Sequence, residues 1–113
     1  MSKSHILIAD TAPHLPHALS RLFELGNFAT SVAASAEEAI ESFQTDIEIN
    51  YVLSEFDLGE QSGHDIWKAI SADVQQRGGF FALMTGNPNC RPIYALQLQN
   101  FPIIVKPMST RAS

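Results

Sequence analysis

Cysteine is almost missing from this chain: Cys90 is the one thiol among 113 residues. No internal disulfide can form, which excludes the stapled scaffolds of small secreted proteins and points to a cytoplasmic setting. Long apolar runs are missing as well. The opening MSKSHILIAD stays apolar only from Ile6 to Ala9 before Asp10 interrupts it. That is too short for a signal peptide, and no other stretch approaches the ~20 apolar residues of a membrane-spanning helix. Positive charge is scarce: seven Lys and Arg stand against twelve Asp and Glu, for a net charge of −5, with no basic cluster. The chain therefore lacks the electrostatic footprint of direct nucleic-acid binding. Repeats, low-complexity tracts and linkers are absent too.

What remains has the composition of an ordinary folded protein, 45% hydrophobic and 17% charged, with six Gly and six Pro dispersed along the chain. The length suits one domain over residues 1–113, built around a single core. The run His5 to Ala9 (HILIA) reads as a buried strand. Leu15, Leu19, Leu22, Phe23 and Leu25 then fall at helical spacing, and Gly26 closes that helix. Phe28 to Ala33 is a second strand. Ser35 offers a cap and Glu37-Glu38 an acidic first turn for a helix through about Phe43. Ile47 to Ser54 is a third strand. SGHDIWKAISADV opens a helix from about Ser62 to Gln76 with Ile66, Ala69 and Ile70 on one face, broken by Gly78-Gly79. Phe80 to Met84 is a fourth strand, and Pro92 starts a short helix through Gln99 with Ile93, Ala95 and Leu96 inward. Pro102 to Val105 is a fifth strand, stopped by Pro107. Strands alternating with helices predict an α/β fold, an open parallel sheet with right-handed crossovers and helices on both faces.

In such sheets ligands bind outside the carboxyl ends of the strands. One polar residue follows each of four apolar runs: Asp10, Glu55, Thr85 and Lys106. Two carboxylates suit a hard divalent cation such as Mg²⁺, and a hydroxyl with an ammonium suits the oxygens of a phosphoryl group. Each residue also has a plainer reading. Asp10-Thr11 can cap the first helix, Glu55 can be a loop acid, Thr85-Gly86 is a common turn pair, and Lys106 can be a solvated end. Their joint placement after four strands favours a shared site. Elsewhere Cys90 reads as a plain thiol, His14, His17 and His64 as solvated, and Trp67 as partial core.

The ordered motifs ILIAD (Ile6–Asp10), FDLGEQSGHDIW (Phe56–Trp67), MTG (Met84–Gly86) and VKP (Val105–Pro107) resemble the receiver domains of two-component response regulators. The likeness runs from about Ser4 to Pro107. It implies a flavodoxin-like five-stranded sheet in order 2-1-3-4-5 with five helices, and an aspartyl-phosphate switch. In that switch an Asp takes phosphate from a kinase phosphohistidine with help from Mg²⁺, a hydroxyl and a lysine. Counted from Glu55, Leu58, Gly59 and Gly63 match the family spacing, so Glu55 occupies the phosphoacceptor position and Asp57 is a loop residue. Thr85 and Lys106 match the hydroxyl and the lysine. The departures fall on the chemistry. Thr11 replaces one of two adjacent acids, Glu55 replaces Asp, and Ile103 replaces the switch aromatic, with Phe101 on the same side of the strand by parity.

The resemblance thus implies a pseudo-receiver, not an enzyme, that signals by protein contact or self-association. Phosphorylation would be lost or weak, and any Mg²⁺ site on Asp10 and Glu55 would be weak. Glu55 either faces Lys106 and Thr85 as a fixed charge that imitates phosphate, or lies in a decayed pocket and points to water. Partners expected are a histidine kinase or other signalling protein, a downstream output domain, and a second copy in a homodimer. Two alternatives stand: a phosphorylatable receiver controlling an output such as transcription, and a flavodoxin-like cofactor or nucleotide binder, for which DTAPHLPH offers no phosphate loop. The family's fifth helix is expected to be absent after Pro107, leaving apolar sheet surface for self-association around the fourth helix and fifth strand.

Overall fold

The computed structural model describes residues 4–12, 14–87 and 89–105, with side chains of the first helix described from residue 19 onward. The elements are β1 (His5–Ala9), α1 (His14–Leu25), β2 (Ala29–Ala33), α2 (Ala36–Thr45), β3 (Ile49–Glu55), α3 (Gly63–Gln76), β4 (Phe80–Thr85), α4 (Arg91–Leu98) and β5 (Ile103–Val105). The strands form one sheet in the order β2-β1-β3-β4-β5, and every pairing is parallel. The fifth helix expected to be absent, and Pro107 as the stop of β5, fall on residues 106–113, outside the described residues.

Alternation along the strands divides the core between two faces. Leu7, Ala9, Val52, Phe81 and Leu83 point to one face, where Phe43 of α2 and Ile66, Ile70 and Val74 of α3 pack on them; Leu96 of α4 joins this larger cluster. Ile6, Ile8 and Met84 point to the other face and meet Leu19 and Phe23 of α1. Burial on both faces is why HILIA is apolar without a break.

The helices bury narrower stripes than their spacing suggests. In α3 the inward row is Gly63, Ile66, Ile70 and Val74, and Ala69 faces solvent. In α4 Ile93 and Leu96 are buried, while Ala95 is exposed. In α1 Leu22 and Leu25 are exposed, at 64% and 85%. Steps of three and four residues keep side chains on one face, and these positions lie off that row.

Strand β3 begins two residues later than the apolar pattern predicts. Asp46 ends α2, its N–H bonding to Ser42 O. Its Oδ1 accepts from Glu48 N at 3.0 Å, and its carbonyl from Ile49 N at 3.2 Å. This turn holds Ile47 out of the sheet and exposed. Three helices end alike. Asn27, Gly78 and Asn100 adopt positive φ of 73°, 66° and 61°, and the following residues Phe28, Gly79 and Phe101 donate back to Phe23 O, Val74 O and Leu96 O. This pattern satisfies the last helical carbonyls. It also corrects the end of α1: Asn27, not Gly26, takes the left-handed conformation, and the Phe23 and Phe28 rings close the turn edge-to-face at 5.8 Å.

Candidate functional site

The strand register brings the candidate residues to one edge. Ala9 pairs with Ser54, Glu55 with Met84, and Thr85 with Val105. Asp10, Glu55, Thr85 and Val105, the last residue of β5, therefore follow one another across the carboxyl ends of β1, β3, β4 and β5. Lys106 itself lies outside the described residues. Among the described residues, the buried polar or charged side chains are Asp10, Ser54, Glu55 and Thr85. All four stand at this edge, where buried polar groups are otherwise costly.

Each is held by local hydrogen bonds. Asp10 Oδ1 accepts from Ala12 N at 2.9 Å, closing a turn ahead of α1, which starts at His14. Thr11 is exposed. Glu55 is 9% exposed, and its Oε2 accepts from Phe56 N at 3.1 Å. Thr85 Oγ1 accepts from Asn87 N at 2.9 Å, so its hydroxyl still carries a proton to donate. Ser54, which the sequence reading passed over inside a strand, donates from Oγ to Glu55 O at 2.9 Å.

The loop after β3 separates the two acids of SEFD. Asp57 is exposed and accepts from Gly59 N at 3.1 Å, while Leu58 turns back into the larger core. Asp57 thus shapes the loop, and Glu55 alone of the pair lies in the buried edge. Gly63 then brings α3 down on that edge. A Cβ there would lie 2.5 Å from Leu83 Cδ2, 2.6 Å from Glu55 O and 2.7 Å from Ser54 Oγ, so only glycine permits the approach. Ser62 caps α3 in a reciprocal box with Asp65. The Ser62 N–H first, then Lys68 at 3.2 Å, hold the Asp65 carboxyl below its ordinary value.

Among the described residues no group of three or more His, Cys, Asp or Glu side chains could hold an ion. Asp10 and Glu55 supply two carboxylates, each already accepting a backbone N–H. Only a largely hydrated Mg²⁺ fits such a pair.

The remaining sequence candidates are elsewhere. Phe101 precedes β5 and stacks edge-on with Trp67 at 5.8 Å and Phe81 at 6.1 Å, so it lies in an aromatic cluster away from Thr85's turn. His64 is half-buried and meets Phe101 at 5.8 Å, which corrects its reading as solvated. Trp67 is partly buried against the larger core, as expected. Cys90 is a half-buried free thiol. The side chains of His14 and His17 are outside the described residues.

Five parallel strands in the order 2-1-3-4-5 with helices on both faces make this a flavodoxin-like receiver fold. Among solved structures it is similar to a CheY-like response regulator receiver domain protein from Methanospirillum hungatei JF-1, at TM-score 0.77 and 21% identity, over 96% of this chain and 85% of that one. It is similar to the response regulator TrrA from Thermotoga maritima, solved in complex with Mg²⁺-BeF, at TM-score 0.75 and 18% identity, over 92% and 87% of the two chains. It is also similar to the receiver domain of Ssk1 from Saccharomyces cerevisiae, solved with the histidine phosphotransfer protein Ypd1, at TM-score 0.74 and 16% identity, over 94% and 80%. No protein-family model and no curated protein sequence matches the chain.

Proposed function

We propose that this chain is a receiver-like signalling domain of a two-component or phosphorelay system, spanning residues 1–113, whose phosphorylation is lost or strongly weakened. It works in the cytoplasm by contact with other proteins rather than by catalysis. The observation that carries this reading is Glu55. It ends β3, buried, with Oε2 folded onto the Phe56 amide, and the receiver resemblance assigns the phosphoacceptor role to this position. One methylene more than Asp carries the carboxylate out by roughly 1.5 Å, the length of one carbon–carbon bond. In-line attack needs reacting atoms near 3–3.5 Å, and a 1 Å misplacement can cost about a hundredfold. Thr11 in place of a second acid weakens the Mg²⁺ site further, so a hydrated ion on Asp10 and Glu55 is the most this edge would hold. Such an ion would neutralise charge on a phosphoryl group; Thr85 would donate its hydroxyl proton to a phosphoryl oxygen.

Burial of Glu55 favours a fixed charge that stands in for phosphate over a side chain that points to water. A carboxylate carries less charge and fewer acceptor oxygens than a phosphate, so the imitation is partial. The partners of this reading are a histidine kinase or phosphotransfer protein, as the yeast neighbour was solved with one, and a downstream output protein.

Incubation with a small-molecule phosphodonor and Mg²⁺, followed by intact mass, tests the reading. The expected spectrum holds the unmodified mass; a stoichiometric phosphate adduct would favour a phosphorylatable receiver instead. Glu55→Gln removes the charge at nearly constant shape. Weaker partner binding is the expected outcome, and unchanged affinity would count against the imitation of phosphate.

A further inference from the structure

Between the last turns of α3 and α4 the surface dips into a hollow of about 340 Å³, lined among others by Trp67, Phe81 and Phe101 and by the carboxamide residues Gln75, Gln99 and Asn100. The aromatic residues are buried or half-buried and the carboxamide residues exposed, so the rings form the floor and the amides the rim. The rings are fixed against one another: Trp67 meets Phe81 at 5.3 Å and Phe101 at 5.8 Å. The amides are not. Among the described residues, the side chains of Gln75, Gln99 and Asn100 make no hydrogen bond to the protein. An aromatic floor beneath a few polar groups is the lining of a small-molecule site.

We propose that this hollow binds a flat, uncharged nitrogen heterocycle of one or two rings, the size of a free nucleobase. Charge narrows the class first. Among the described residues no charged side chain lines the hollow, so a fully charged ligand would give up water without gaining an ion pair. The carboxyl ends of α3 at Gln76 and α4 at Leu98 adjoin it. Their negative dipole ends disfavour an anion in particular, which sets phosphorylated nucleotides aside. The lining then selects for shape and edge. Aromatic rings take up another planar ring by offset or edge-on stacking. Carboxamides both donate and accept, and so match the ring nitrogens and N–H groups along a heterocycle's edge. An aliphatic ligand would leave those amides unmatched.

The hollow lies at the amino end of β4, which starts at Phe80, opposite the carboxyl edge that carries Glu55. A bound ring would bridge α3 and α4 through Gln75 and Gln99, a small-molecule input separate from that edge. This goes beyond the signalling reading and stands whether or not Glu55 accepts phosphate.

Trp67 is the one tryptophan of the chain, so its fluorescence reports on the hollow directly. Titration of the full chain with adenine, excited where adenine does not absorb, is expected to change Trp67 emission saturably, with a dissociation constant on the order of 0.1–1 mM. The backbone amide resonances of Gln75, Gln99 and Asn100 shift over the same range. Gln75→Ala combined with Gln99→Ala, both at exposed positions, weakens adenine about tenfold, and Phe101→Leu weakens it as well. Tyr94→Ala, exposed on α4 and outside the lining, leaves it unchanged. Adenosine monophosphate, the same ring with a phosphate attached, binds several-fold more weakly than adenine. Circular dichroism and melting temperature verify that each variant folds. The absence of a saturable response to adenine overturns the proposal. Adenine binding indifferent to the double Gln variant overturns it by placing the ligand elsewhere, and a monophosphate that binds as tightly as adenine overturns the selection for an uncharged ring. A phosphate adduct on the isolated chain would remove the pseudo-receiver reading and leave this one intact.

Discussion

Arg77 shows what a single residue can do here that no motif announces. Its guanidinium donates to three backbone carbonyls at once: Asp46 O at 3.1 Å, Ile49 O at 2.7 Å and Phe43 O at 3.0 Å. It also stacks on the Phe43 ring at 3.8 Å. The planar fork ties the end of α2 and the start of β3 to the end of α3. Arg77→Ala should destabilise the chain by about 2–3 kcal/mol in urea unfolding, because the half-buried carbonyls lose charged donors. Arg77→Lys should recover only part of that, since a point charge cannot span three acceptors. Asp65 offers a test by pH. Its carboxyl is held below its ordinary value of 3.8 by the Ser62 N–H and by Lys68. A depressed folded value means the stabilisation is complete above the unfolded value and fades as pH falls through the folded one. Asp65→Asn should therefore melt lower than the parent at neutral pH, and the two melting curves should converge below about pH 3.8. Nothing near Arg77 in the sequence pointed to this role. Its acceptors lie 28 to 34 residues away.

At the scale of elements, the punctuation was more legible than the facing. Apolar runs and Gly or Pro breaks located nine segments, and each boundary lies within about two residues of the observed one. Phe28 moved from strand to turn because it supplies the bond that closes α1. Helix faces were read less well. An apolar residue at i+3 counts as inward on spacing alone, yet Ala69, Leu22 and Leu25 lie off the buried row. Which of two adjacent rows is buried depends on what the helix lands on. The shared helix ending carries its own prediction. A left-handed backbone costs an L-residue free energy that glycine does not incur, and Asn lies between. Asn27→Gly and Asn100→Gly should each be neutral to stabilising, by up to about 1 kcal/mol. Asn27→Ala should be destabilising. Thermal melts would rank the three.

Across the whole molecule, protection should follow the sheet. Strands β1 and β3 are paired on both sides and covered by the larger core, while β5 is three residues long and paired on one side. Amide exchange should be slowest in Leu7, Ile8, Val52 and Ser54 and fastest among strand residues at Ile103 to Val105. The expected self-association around α4 and β5 turns on a fifth helix that falls on residues 106–113, outside the described residues. A groove of about 300 Å³ runs from Ile104 across β4 and β3 to Phe23.

Local chemistry was carried by the residues themselves. Period-two and period-three-and-a-half patterns chose strands and helices, polar residues at the ends of apolar runs named Asp10, Glu55 and Thr85, and the receiver-family resemblance, through its spacing to Gly63, separated Glu55 from Asp57. Those features depend on neighbours a few positions apart, which any sequence displays. Only the tertiary structure decided that Glu55 is buried, that Ser54 lies beneath the same edge, and that Arg77 joins three elements. Each of these depends on strand register and on groups far apart in the chain, brought together when the sheet closes its core.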